Sequence, residues 1–225
     1  MQNWAALEAE IISCRRCPRL VEWREGVART KRRAYQGEVY WGKPVPGFGD
    51  RCARVLVVGL APAAHGANRT GRMFTGDSSG NFLYAALFRA GFADRPMSLG
   101  ANDGLTLHDV FVSAACRCAP PDNRPTPGEL AACLPFLAGE MALLPELQVI
   151  VALGHIAFEA VLRMYPEQGR ATPRLRFGHA LAQPLGAARP WLVASYHPSR
   201  QNTQTGRLTP EMFDEVWSTT RALLA

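Results

Sequence analysis

The sequence predicts an α/β fold: a three-layer α/β/α arrangement with a central, mostly parallel four-stranded sheet. Two observations predict it. Four short runs, Arg54–Gly59, Val110–Ala115, Gln148–Leu153 and Trp191–Tyr196, have the unbroken apolar character of strands buried on both faces. Segments of helical periodicity lie between them, and strands separated by helices form a mostly parallel sheet with both faces covered. With 225 residues, 48% of them hydrophobic, the chain suits one domain spanning 1–225 and excludes disorder.

The elements read in order as follows. Residues 3–13 have the pattern of an amphipathic helix. A basic connecting stretch runs from Arg15 to Arg33, interrupted by Glu22 and Glu25. Pro44, Pro46, Gly47 and Gly49 mark a loop before the first strand. A long loop, 60–79, leads into a helix at about Asn81–Ala90, and the second strand follows. A proline-rich loop, 119–127, enters a helix over about 128–143. The third strand passes at once into a helix at 155–164. After the fourth strand, Thr209 caps a closing helix at 210–224 with Pro210 at its first position. The loops at 60–80, 116–127 and 197–207 all leave the carboxyl ends of strands, where ligands bind in open parallel sheets.

The 25 Lys and Arg against 19 Asp and Glu give a net charge of +6, which favours a polyanionic partner such as DNA or RNA. No apolar run approaches the ~18 residues of a membrane span. The N-terminus carries Glu8 and Glu10 rather than a signal region, so a cytoplasmic location is expected. In that reducing compartment Cys14, Cys17, Cys52, Cys116, Cys118 and Cys133 are thiols or metal ligands rather than disulfides.

Cys14 and Cys17 form a C-x2-C pair. Cys118 and Cys133 make a second pair, with 14 residues between them, though by spacing Cys116 competes with Cys118. Two such pairs complete a four-sulfur cage for zinc or an iron–sulfur cluster. Cys52 and Cys116 read as small core hydrophobes. The loop GLAPAAHGANRTGRMFTGDSSG (59–80) is rich in glycine and small residues, so its backbone can approach a ligand closely. His65, Asn68, Arg69, Arg72 and Asp77 lie in it. It matches neither a P-loop nor a dinucleotide fingerprint.

GLAPAAHGANRTGRMFTGD, the downstream SYHPSRQNTQTGR (195–207) and CAPPDNRPTP (118–127) resemble the motifs of the uracil-DNA glycosylase superfamily, in its family 5 or type B form. With the C-x2-C pair, the resemblance covers nearly the whole chain. It implies a monofunctional glycosylase that flips its target base out of the stack and hydrolyses the N-glycosidic bond, initiating base excision repair. It implies double-stranded DNA as the partner, with single-stranded DNA as an alternative, a monomer, and a 4Fe–4S cluster on Cys14, Cys17, Cys118 and Cys133. Phe74 matches the aromatic that stacks on the base, and Gly59 stands among the base-binding positions. His197 matches the base-contacting histidine that stabilises the departing anion. Pro198 and Ser199 match the loop that meets phosphates. Arg200, Gln201 and Asn202 would lie at the minor groove. Arg15, Arg16, Lys31, Arg32 and Arg33 would line a face available to phosphates.

Two positions depart from better-known relatives. Ala63 stands where they carry an Asp or Asn, which leaves Asp77 as the water-orienting carboxylate or as a mere helix cap. Ala114 stands where they carry a uracil-reading Asn, which leaves Asn123 as an alternative amide or a turn residue. A pocket with fewer amides discriminates less, so uracil and hypoxanthine are the expected bases, with xanthine and ethenocytosine as further candidates. His155 reads as structural, and His108 and His179 carry no signal. The competing readings are a zinc-stabilised nucleic-acid-binding module without catalysis and a glycosylase-like domain that has lost activity.

Overall fold

The computed structural model describes residues 3–165, 175–186 and 190–225. The four expected strands form its centre: β2 (Val55–Gly59), β3 (Val110–Ala114), β4 (Val149–Leu153) and β6 (Trp191–Ser195). They lie parallel in the order β3-β2-β4-β6. Every residue of β2, β3 and β4 is buried, which is why these strands read as unbroken apolar runs.

The sheet has six strands rather than four. Two short antiparallel strands, β1 (Phe48–Gly49) and β5 (Ala182–Pro184), close its edges against β3 and β6. At two and three residues they are too short to show a period.

One face of the sheet is covered by α4 (Ser78–Arg89) and α8 (Pro210–Leu223), and the other by α5 (Pro127–Ala142) and α6 (His155–Leu162). Local chemistry sets their starts. Thr126 and Glu129 form a reciprocal capping box on α5, with Pro127 in its first turn. Thr209 caps α8 and Pro210 opens it.

The N-terminal segment corrects the sequence reading. After α1 (Trp4–Ser13), the stretch read as a basic connector is largely a helix, α2 (Pro18–Thr30). Its inner face is Leu20, Val21, Arg24 and Val27, at helical spacing. A buried arginine occupies an apolar-face position, and that hid the pattern. Two further helices, α3 (Ala67–Thr70) and α7 (Arg200–Gln204), lie inside segments read as loops.

Beneath the carboxyl edge sits a buried ion pair. Arg117 donates to Glu140 at 2.6 and 3.1 Å, and Ser113 and the Gly47 amide donate to the same carboxylate. A paired and fully hydrogen-bonded charge can be buried where a lone one cannot. It joins β3, α5 and the segment entering β1.

Candidate active site

β2 ends at Gly59, which pairs with Ala114 at the end of β3. The chain then enters the glycine-rich loop. Ala63 sits half-buried in its first turn, and its carbonyl accepts from the amides of Gly66 and Asn68. Three polar residues of this loop are structural. Arg72 is buried and donates to Asp103 at 2.6 Å, Ser98 at 2.8 Å and Thr75 at 3.0 Å. Arg69 pairs with Glu38 and donates to the Gly76 carbonyl. Asn68 donates to the carbonyl of Arg24. His65 meets the Tyr40 hydroxyl at 3.1 Å through Nδ1.

This scaffold holds a turn at Phe74, whose φ of 52° is rare for a residue with a side chain. Such a backbone persists only when its surroundings over-determine it. Here the ring lies directly on the Gly59 backbone, so close that a Cβ at Gly59 would stand 2.6 Å from the Phe74 Cζ. Only glycine lets the aromatic seat itself at the strand end.

Asp77 follows and caps α4, its Oδ1 accepting from the Gly80 amide at 2.9 Å. Its Oδ2 lies where a Cβ on Gly66 would be, at 1.9 Å. Burial holds the Asp77 carboxyl above the usual carboxylate range, against the opposing pull of the Gly80 and Ser79 amides and the Arg69 charge.

His197 arrives from the other side, two residues beyond the end of β6. Its ring lies 6.1 Å from that of Phe74, tilted by 31°. Gly154, with φ of 94°, passes close beneath its Cβ. Burial pushes the imidazole down to about 4, so it is neutral at neutral pH. The Asn202 amide donates to the His197 carbonyl at 2.9 Å, and Ser199 accepts from the Asn202 backbone to cap α7. Asn202 is thus committed to shaping this loop, although the sequence placed it at the minor groove. Arg200 and Gln201 are exposed on α7, free to meet a ligand.

The structure therefore brings Gly59, Phe74, Ala114, Asp77 and His197 to one carboxyl edge. Asn123 is different. It is exposed at a φ of 55° in the turn Pro121–Asn123, a left-handed position that asparagine tolerates well. His155 is exposed at the start of α6, 3.7 Å from Glu159.

Cys14, Cys17, Cys118 and Cys133 line one small cavity, together with Arg16, Leu20, Arg24 and Phe136. Cys116 does not line it. Its Sγ packs 3.9 Å from that of Cys133, buried in the adjoining apolar cluster. Arg24 reaches the cavity from α2 and donates to the Cys118 Sγ at 3.0 Å, while its buried Nε has no partner among the described residues. Burial pushes the Cys118 thiol up to about 11, with Arg24 opposing. No three His, Cys, Asp or Glu among the described residues are arranged to hold a single metal ion. Cys52 corrects the sequence reading: it is exposed in the turn before β2, its amide bonded to the Asp50 carboxylate.

The basic N-terminal residues are less free than their charge implied. Arg15 pairs with Glu25 and Arg16 with Glu10, whereas Arg32 and Arg33 are exposed. No helix among the described residues is long and apolar enough to cross a membrane.

A parallel sheet with its unusual loops gathered at one carboxyl edge, an aromatic ring and a neutral imidazole meeting there, and a buried carboxylate in the loop that carries the aromatic, defines a class of small-ligand α/β site. The protein-family model described as the uracil DNA glycosylase superfamily matches residues 46–221, and the chain belongs to that superfamily. A type-5 uracil-DNA glycosylase of Thermus thermophilus is 57% identical over 206 residues, covering 92% of this chain and 91% of that protein. One of Mycobacterium tuberculosis is 52% identical over 218 residues, covering 96% and 80%. A type-4 uracil-DNA glycosylase of Pyrobaculum aerophilum is 31% identical, covering 71% and 74%.

Proposed function

We propose that the protein is a monofunctional DNA glycosylase that excises uracil and other deaminated bases, hypoxanthine among them, and so initiates base excision repair. The observation that carries this is the Phe74–His197 pair at the mouth of the sheet, with Asp77 three residues beyond Phe74 as the buried cap of α4. A base can be attacked at its glycosidic bond only outside the helical stack, and the site offers what an extruded base needs. The Phe74 face supports its ring. The neutral His197 imidazole donates to a base carbonyl as the C1′–N bond breaks and its electron pair moves onto the base. Asp77 orients the water that adds to C1′ and offsets the positive charge on the sugar. Ser199, through its hydroxyl hydrogen, and Arg200 and Gln201 meet the phosphates and grooves flanking the flipped nucleotide. Asn123 carries a free amide on the neighbouring loop.

Breadth follows from Ala63 and Ala114. Two small apolar side chains stand where an amide or carboxylate would otherwise demand one base edge, so a wrong base leaves no buried polar group unpaired there.

The four-thiol cavity fits a 4Fe–4S cluster held by Cys14, Cys17, Cys118 and Cys133. Support comes from the thiols sharing one cavity and from a buried guanidinium, incompletely paired, set against one of the sulfurs. Such a group would supply a cross-link between the start of α2 and the sheet and an anionic partner for Arg24. The excision chemistry does not pass through it.

The experiment is incubation with labelled duplexes holding U·G, U·A or hypoxanthine·T pairs, followed by alkali. Strand cleavage only after alkali, on both the uracil and hypoxanthine duplexes, is expected. Cleavage without alkali would overturn the monofunctional reading, and cleavage confined to uracil would overturn the argument from Ala63 and Ala114.

A further inference from the structure

We infer that His179 is a positioning residue for His197: its imidazole clamps the backbone that carries the base-contacting histidine from the strand end into the site. The inference rests on the proposed glycosylase site.

The chain beyond β6 has little to hold it. The ladder to β4 ends at Ser195, whose carbonyl accepts from the Gly154 amide. Two residues later His197 must present its ring to Phe74. That ring makes no hydrogen bond among the described residues, so its direction depends on the backbone at 196 and 197. The carbonyl of His197 is held by Asn202. The amide of Tyr196, on the other side, is held by His179.

His179 lies in the turn leading to β5. Its Nδ1 accepts from the Tyr196 amide at 3.2 Å, and its Nε2 lies 3.0 Å from the Met212 carbonyl on α8. The amide can only donate and the carbonyl can only accept. Nδ1 must therefore be bare and Nε2 protonated, which fixes one neutral tautomer. The imidazole also stacks on the Tyr196 ring, centroids 4.9 Å apart and planes 20° from parallel, and the Arg207 guanidinium lies 5.0 Å over that same ring. One side chain thus ties the strand exit to α8 and sets the residue preceding His197 in place. Misplacement of a reacting group by about 1 Å can cost about 10²-fold in rate.

The test uses the full chain and four variants, three at position 179 and one at 197. An Asn at 179 sets its amide oxygen about where Nδ1 stands and keeps the acceptor for Tyr196. A Gln keeps a donor for Met212 but withdraws that acceptor. Single-turnover excision of uracil is measured for wild type, His179→Ala, His179→Asn, His179→Gln and His197→Ala, with melting temperature and affinity for undamaged duplex recorded for each. The expected result is His179→Ala and His179→Gln slowed by about 10-fold to 10²-fold, His179→Asn within a few-fold of wild type, and unchanged affinity for undamaged DNA. A His179→Ala rate equal to wild type overturns the inference. So does His179→Asn slowed as much as His179→Gln, a comparison that stands even if the alanine variant fails to fold. If wild type releases no uracil, the glycosylase reading itself has failed. If wild type is active and His197→Ala is slow, only the role of His179 is at stake.

Discussion

Asp77 has two occupations that single substitutions can separate. It caps α4 through the Gly80 amide, and it stands as a buried carboxylate beside Gly66 at the edge of the site. Asparagine caps a helix about as well as aspartate, whereas alanine loses about 0.5–2 kcal/mol. The folded-state pKa of Asp77 is raised above its ordinary value of 3.8, chiefly by burial. Its proton is therefore bound more tightly in the folded state. That contribution is fully present below the ordinary value and is lost as pH rises through the folded one, so at neutral pH the charge opposes folding. Asp77→Asn removes the charge and keeps the cap. Its melting temperature at about pH 7 should equal or exceed that of wild type, while single-turnover excision falls by about 10²-fold. Wild-type excision should also decline on acidification as Asp77 takes its proton, because His197 is already neutral down to about 4. A full rate in Asp77→Asn would leave Asp77 a cap and nothing more. The residues of the site were legible in the sequence through the motif resemblance. Their neighbours were not: nothing in a lone His179 or a charged Arg24 reveals that folding turns one onto the Tyr196 amide and the other onto a cysteine sulfur.

At the scale of elements, legibility followed burial. β2, β3 and β4 are buried throughout and read clearly as VLVVG, VFVSA and VIVAL. α8 was found with its cap because Thr209 and Pro210 act locally. The missed elements depend on distant partners. β1 exists because Phe48 and Gly49 meet Val112 and Phe111, and β5 because it meets β6. α2 presents Arg24 inward, which only the thiol cavity explains. α3 stands in a segment whose glycines and small residues argued for a ligand loop. The arginines instead lock that loop: Arg72 on Asp103, Ser98 and Thr75, and Arg69 on Glu38 and Gly76. Phe74 can hold its strained backbone because those contacts surround it.

Across the whole molecule, the four thiols of one cavity come from regions far apart in sequence. Cys14 and Cys17 flank the turn between α1 and α2, Cys118 follows β3, and Cys133 lies on α5. A covalent cage across such a separation restricts the unfolded chain strongly, by about 2–5 kcal/mol for a comparable cross-link. In a chain of this size each kcal/mol is about 2–4 °C of melting temperature. Anaerobically purified protein should be brown and carry iron and acid-labile sulfide. Cys14→Ser or Cys118→Ser should lose that iron and melt about 10 °C lower. Cys116→Ser, which alters a thiol outside the cavity, should keep its iron. Zinc in place of iron would favour the zinc-stabilised module, and iron lost from Cys116→Ser but kept in Cys118→Ser would reverse the ligand assignment.

The most direct measurement is single-turnover release of uracil from a U·G duplex by wild type and by His197→Ala, side by side, with binding to undamaged duplex as the control. Wild type should release free uracil and leave an alkali-labile strand. His197→Ala should bind undamaged DNA equally and release uracil about 10²-fold to 10³-fold more slowly. Equal rates for the two proteins, or no release by wild type, would contradict the assignment of base excision to the Phe74–Asp77–His197 edge of the sheet.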